Sequence, residues 1–172
     1  MRRIYLLMFA LMLCFSMANA QVIEGTVLKS WDGASGSIEI PANVTEIAAN
    51  CFYTPAEEDP DTWEVIAEEK SNTNITSVKL NNVKKIGKNA FRGCSNIETI
   101  DAPNVETIEE GAFYGLEKLT ILSLPSIKEL GMNAFEGCNQ IAKIALGSGL
   151  AKMFGNTFKG CKAVSDISVA AG

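Results

Sequence analysis

The chain has 172 residues, 47% of them hydrophobic and 20% charged, with 15 Lys and Arg against 20 Asp and Glu and no histidine. A net charge of -5 without a basic stripe argues against a nucleic-acid partner. The absence of histidine removes the commonest general base and the commonest metal ligand together.

Residues Met1 to Ala20 read as a secretory signal peptide: Arg2 and Arg3, an apolar run from Ile4 to Met17, then the small-residue pattern Ala18-Asn19-Ala20. A retained membrane anchor needs roughly 20 apolar residues, more than this run offers. Lipoprotein processing at Cys14 would put the bulky Leu13 where such signals carry a small residue. Cleavage after Ala20 removes two arginines and no acid, leaving 13 basic against 20 acidic residues, a net of -7. The expected product is secreted or extracytoplasmic, in the periplasm or at the cell surface, without a membrane span. About 150 residues then remain, enough for one domain with a continuous core.

Residues 21–37 form a mixed lead-in with Trp31, Gly33 and Gly36, expected to cap one end of the core. Trp31 is expected to cover that end, with a ligand platform as the competing role. Residues 38–52 follow as a degenerate first repeat: Ile38-Glu39-Ile40-Pro41, then Val44 and Ile47, ending on Cys51-Phe52.

Residues 53–73 are foreign to the pattern that follows and stretch the step from Phe52 to Phe91 to 39 residues. Between Pro55 and Lys70 this insertion holds Glu57, Glu58, Asp59, Asp61, Glu64, Glu68 and Glu69 against Lys70 alone, a net of -6. Asp61 and Glu64 have the spacing of a helix N-cap and its third position, and Trp63, Ile66 and Ala67 would then share a face. A short strand Trp63-Glu64-Val65 competes with that helix. The helix-loop-helix calcium pattern fails, because Trp63 stands at an oxygen position and Glu64 where the sharp-turn glycine belongs. Insertions in repeat proteins project from one side and often carry binding. The seven acids and Trp63 are therefore the candidate partner-binding residues. The alternatives are a solvated acidic loop, or Trp63 and Ile66 packed as a lid over the gap in the repeats.

From residue 74 to 172 one sentence of sequence recurs: NITSVKLNNVKKIGKNAF, NIETIDAPNVETIEEGAF, KLTILSLPSIKELGMNAF and QIAKIALGSGLAKMFGNTF. The repeat phenylalanines Phe91, Phe113, Phe135 and Phe158 are 22, 22 and 23 residues apart. A period of this length means a solenoid, because one unit cannot bury its apolar side alone. Pairs two residues apart, such as Val78 and Leu80 or Leu122 and Leu124, are the inward positions of a strand. Val83, Val105, Ile127 and Leu150, with Ile86, Ile108, Leu130 and Met153 three further on, form a second inward row on the opposite wall. Pro41, Pro103 and Pro125 end strands because they lack the amide that would continue a ladder.

The run apolar-x-x-Ile-x-Leu-Pro, then Val-x-x-Ile-x-x-x-Ala-Phe-x-Gly-Cys, resembles the BspA-type leucine-rich repeat family. Its pieces here are Ala90-Phe91-Arg92-Gly93-Cys94, Ala112-Phe113-Tyr114-Gly115-Leu116, Ala134-Phe135-Glu136-Gly137-Cys138 and Phe158-Lys159-Gly160-Cys161. The resemblance covers most of residues 36–169. It implies a leucine-rich-repeat solenoid of about five coils, with parallel β strands on one face and short strands or turns on the other, closed by the Ala-Phe turn. It also implies a secreted or surface protein that adheres to host or neighbouring-cell proteins, such as those of the extracellular matrix.

Cys94, Cys138 and Cys161 share a slot with Leu116, which marks it as apolar and the thiols as small hydrophobes. Neighbouring coils lie about 5 Å apart, so a Cys138–Cys161 bridge is geometrically allowed, although parallel stacking rarely offers its dihedral. Outward on the strands lie Ser37 and Glu39, Ser77 and Lys79, Thr99 and Asp101, Ile121 and Ser123, Lys143 and Ala145, Asp166 and Ser168. Glu39, Lys79, Asp101, Ile121, Ser123 and Lys143 make this face the alternative binding surface, although it lacks the Trp, Tyr and Arg of strong hot spots. Lys79 would hold Glu39 and Asp101 ionised between coils, which disfavours them as an acid–base pair.

Gly147-Ser148-Gly149 lacks the lysine of a phosphate loop, and no Cys-x-x-Cys is present. The expectation is thus a non-catalytic protein-interaction module with no cofactor and no metal site. The alternative is a structural or assembly component of a cell-envelope complex. Val169, the last inward strand residue, makes self-association through a C-terminal edge the matching expectation.

Overall fold

The structure is a computed structural model describing residues 20–170. The expected signal peptide lies outside those residues apart from Ala20. Among the described residues there is no helix, and none long and apolar enough to cross a membrane. The chain winds instead as a parallel β solenoid of about six turns, one more than the repeat count led us to expect.

Each turn places one strand on a front face. These are β3 (Gly36–Glu39), β9 (Ile75–Lys79), β11 (Thr99–Asp101), β13 (Ile121–Leu124), β15 (Lys143–Leu146) and β17 (Asp166–Val169). They pair in parallel as two three-stranded sheets, β3-β9-β11 and β13-β15-β17. The opposite wall carries shorter strands, β4 (Glu46–Ile47), β10 (Lys85–Ile86), β12 (Thr107–Ile108), β14 (Glu129–Leu130) and β16 (Lys152–Met153), also parallel and in register. At the first turn, β1 (Gln21–Glu24) and β2 (Val27–Trp31) form an antiparallel hairpin whose second strand pairs with β4.

The core is the space between the walls, filled by the periodic apolar residues. Val78, Leu80, Val83 and Ile86, with their equivalents Leu122, Leu124, Ile127 and Leu130, are all buried. The phenylalanines stack as a column. Centroids of Phe52 and Phe91 are 4.7 Å apart, followed by steps of 5.3, 5.3 and 5.5 Å through Phe113 and Phe135 to Phe158, with interplanar angles no larger than 20°. Trp31 lies against Phe52 at 6.4 Å, tilted by 44°, and ends the column at the hairpin side. Rings offset along a stack lie within the favourable range for aromatic pairs, which contribute about 0.5–1.5 kcal/mol each beyond their buried area.

The corner that delivers each ring is also hydrogen-bonded from coil to coil. The amides of Phe91, Phe113 and Phe135 donate to the carbonyls of Ala112, Ala134 and Thr157 at 2.8, 2.9 and 2.8 Å. Two residues before each ring the backbone is left-handed, at Asn50, Asn89, Gly111, Asn133 and Asn156. Asparagine and glycine are the residues that tolerate this conformation most readily.

All four cysteines among the described residues are free thiols. Burial pushes Cys51, Cys94 and Cys138 up to about 12. Cys138 Sγ donates to the Phe113 carbonyl at 3.1 Å, so the slot shared with Leu116 holds inert, packed sulfur.

Phe113, buried and stacked on both sides, is the diagnostic core position. Phe113→Ala is expected to cost about 3–5 kcal/mol in a urea titration, as for other buried aromatics truncated in a packed core. A loss below about 1 kcal/mol would count against the stacked column as the organising contact.

Candidate interaction surfaces

The insertion does not form the expected helix, and the strand is shifted from Trp63-Glu64-Val65. It rises instead as a two-storey antiparallel arm. Its root is β5 (Tyr53–Thr54) paired with β8 (Lys70–Ser71); above it β6 (Glu57–Glu58) pairs with β7 (Val65–Ala67). The physical reason lies in Asp59. Its Oδ1 accepts from the amides of Asp61 and Thr62 at 2.8 and 2.9 Å, while the Asp59 amide donates to the Glu64 carbonyl at 2.9 Å. That local turn competes successfully with a short helix started at Asp61. The backbone bonds from Thr62 and Asp61 also hold the Asp59 carboxyl below the usual carboxylate range.

The arm stands clear of the solenoid. Trp63 is 76% exposed, and Val65 and Ile66 are exposed beside it, so the lid reading of Trp63 and Ile66 does not describe this structure. Trp63 also sits at φ +60°, a left-handed conformation that is uncommon for a bulky residue. Glu57, Glu58, Asp61, Glu64 and Glu68 are exposed around it, and Asp59 is half-buried in the turn.

Glu69 has a separate structural part. The Tyr53 hydroxyl donates to Glu69 Oε2 at 2.6 Å. The Arg92 guanidinium lies over the Tyr114 ring at 4.1 Å and the Tyr53 ring at 5.6 Å, so a cation bridges arm root and solenoid corner. Gly93 lets the arm return along this corner: a Cβ there would stand 2.3 Å from Ser71 Oγ. The repeat pattern treats Arg92 as a variable turn position, so it does not mark the bridge, and Gly93, although it recurs as a motif glycine, is not marked as the place where the arm returns.

The front face is assembled in the expected register. Lys79 pairs with Glu39 on one side and Asp101 on the other, and Lys143 is opposite Ile121 on one side and Asp166 on the other. Ser123 lies opposite Ala145. Glu39 accepts from Asn81 Nδ2 and from Lys79 Nζ, each at 3.0 Å, and these bonds hold its carboxyl low. Ile121 is the one large apolar side chain exposed among those six residues. The face is therefore made mostly of small side chains, with Lys79 and Glu39 neutralising each other.

Two concavities complete the surface. A cleft of about 480 Å³ lies between Trp31 and the arm root and is lined by Asn50, Tyr53, Asn72 and Asn74. A groove of about 560 Å³ on the back wall is lined by Met132 and Phe154 together with Lys88, Glu109, Glu110 and Glu129. At the last coil the apolar residues lose their cover: Met153 is 58% exposed, Ile167 61%, Val169 60% and Phe154 46%. Met153 was expected in the inward row, and it is exposed because no described coil stacks beyond it.

This architecture defines a leucine-rich-repeat solenoid, a scaffold for protein contacts. The sequence profile described as "BspA type Leucine rich repeat region (6 copies)" matches residues 68–172, and the chain belongs to that family. The coil at residues 36–52 lies before the matched region, yet it is continuous with the same core.

A leucine-rich cell surface protein from Faecalibacterium prausnitzii A2-165 is 25% identical, with a TM-score of 0.63 over 79% of this chain and 32% of its own. A leucine-rich repeat protein of Bacteroides ovatus ATCC 8483 is 22% identical, with a TM-score of 0.65 over 88% of this chain and 39% of its own. The T. pallidum leucine rich repeat protein is 16% identical, with a TM-score of 0.69 over 90% of this chain and 84% of its own. The chain thus spans about a third of the first two and most of the third. No curated protein matches it.

The arm root yields a pH-dependent expectation. Burial, and then the hydrogen bond to Glu69, raise the Tyr53 phenol above its ordinary value near 10. The neutral phenol is the form that donates, so its contribution is fully present below about pH 10 and is lost as pH rises through the raised value. Tyr53→Phe should remove it at every pH. Hydrogen exchange at Thr54 and Lys70 is expected to quicken about fivefold, for a loss near 1 kcal/mol, while the melting of the repeats stays unchanged. Equal exchange in the two proteins would show that the bond does not hold the arm.

Proposed function

We propose that this protein is a secreted, non-catalytic interaction module that adheres to a host or neighbouring-cell protein, and that the acidic arm is its docking element. The observation that carries this reading is Trp63. A large aromatic ring held in the open at a left-handed position contributes little to folding, and seven carboxylates share its arm. Such a loop steers a basic partner electrostatically and then buries an aromatic anchor. The front face offers mostly small side chains, and its Lys79 is already paired with Glu39, so it complements the arm at most weakly.

Extracytoplasmic placement is supported by the leader-like first 20 residues and by the cell-surface description of the F. prausnitzii protein.

The test is capture of extracellular-matrix proteins by the immobilised chain. Three forms are compared: the parent, a deletion of residues 55–70, and a Lys79→Glu, Lys143→Glu double variant of the front face. The deletion is expected to lose at least about tenfold in affinity, the front-face variant to change little, and the parent to weaken as salt rises. A deletion that folds and binds like the parent would remove the arm as the site.

A further inference from the structure

The cleft between Trp31 and the arm root is a concave site that docking through the arm leaves unused. Its volume of about 480 Å³ lies within the roughly 300–1,000 Å³ usual for small-molecule sites. Every residue that lines it falls between Ser30 and Asn74, so it is framed by internal segments: the loop after β2, the corner of the first coil and the returning strand of the arm. Hydrogen bonds fix that frame. Asn72 Nδ2 donates to the Ala34 carbonyl at 2.9 Å, and Asn72 Oδ1 accepts from the Asn74 amide at 3.0 Å. The Gly36 amide donates to the Asn74 carbonyl at 2.7 Å, and the Asn72 amide donates to the Phe52 carbonyl at 3.0 Å. Inside the frame, the side chains of Asp32, Asn50, Thr54 and Lys70 line the space and make no hydrogen bond or ion pair with a described residue. Asn50 holds a left-handed backbone at φ +58°, which glycine serves as well at Gly111, so its amide is spare for a ligand.

We propose that this cleft binds a neutral saccharide of one or two pyranose units, with Trp31 as the stacking surface and Asp32 and Asn50 as the hydroxyl contacts. Trp31 lies half-buried against Phe52, so its ring is held in place while part of its surface stays in the cleft. A pyranose presents C–H groups on one face and hydroxyls around its edge. The C–H face packs on an aromatic ring. The hydroxyls both donate and accept, and they meet a carboxylate that accepts and a carboxamide that does both. The charged residues in the lining, Asp32 and Lys70, have opposite signs, so the site suits an uncharged ligand although the arm beyond it is strongly acidic. An apolar ligand would leave these polar groups without partners. Peptides are ordinarily taken by an open strand edge or an apolar groove, whereas polar side chains dominate this lining.

Fluorescence tests this. Trp63→Phe leaves Trp31 as the single tryptophan, so its emission reports on the cleft. That protein is titrated with lactose, cellobiose, maltose and N,N′-diacetylchitobiose, and separately with sialyllactose and the tetrapeptide Gly-Ser-Asn-Gly. At least one neutral disaccharide is expected to shift the emission saturably at millimolar concentration. Asp32→Ala with Asn50→Gly, both at exposed positions, is expected to weaken that binding at least about tenfold through the lost hydrogen bonds. Thermal melting checks the fold, and Asn50→Gly alone, expected to weaken binding about threefold or more, replaces the pair if melting falls. No saturable response to any neutral disaccharide, a smaller loss in the variant than stated, or tighter binding of the sialylated sugar or the peptide would overturn the proposal. The double variant retains residues 55–70, so its capture of matrix proteins tests the arm separately.

Discussion

Coil-to-coil registry is the constraint on which the whole molecule depends. A single turn of 22 residues has two short strands and one ring, and it becomes stable when the next turn lays the same residues on top. The rings and the three rows of backbone bonds reinforce this together: front strands, back strands and the Ala-Phe corner all repeat with one spacing. Any residue that changes the spacing therefore acts on three rows at once. Gly147 illustrates the tolerance. It occupies the turn where Pro125 stands one coil earlier, and a Cβ there would lie 1.8 Å from the Pro125 carbonyl oxygen.

Much of this order is readable in the chain because burial in a solenoid is written as recurrence. Val78, Ile86 and Phe91 recur in phase with Leu122, Leu130 and Phe135, and one face of each strand follows from the step of two. The left-handed column was less legible. Asn89, Asn133 and Asn156 share it with Gly111, and two residue types at one position look like surface variation until the backbone angle joins them. The thiol slot is the converse case: sharing with Leu116 was enough to mark sulfur as packing.

The arm was legible as an interruption but not as a shape. Its helix signal, Asp61 with Glu64, and its turn signal, Asp59 with the amides of Asp61 and Thr62, overlap within six residues. Local hydrogen bonding favoured the turn, and neither option buries enough apolar surface to be selected by the core. Its root was illegible for another reason. Tyr53, Glu69, Arg92 and Tyr114 come from the insertion and two different coils, and a repeat alignment places them in columns where variation is expected. The same limit applies at the last coil, where residues in inward columns are exposed by position along the stack.

The 4.7 Å contact between Phe52 and Phe91 spans the gap in sequence that the arm fills. The ring column passes beneath the arm without interruption, so the core does not register how long the arm is or what it says. Selection on stability of the core is therefore nearly blind to the fourteen residues from Pro55 to Glu68, whereas it acts strongly on the flanking coils. A lineage can exchange that cassette for one of different length, sign or tip while inheriting the scaffold unchanged, and relatives that share this solenoid are free to differ most at that point.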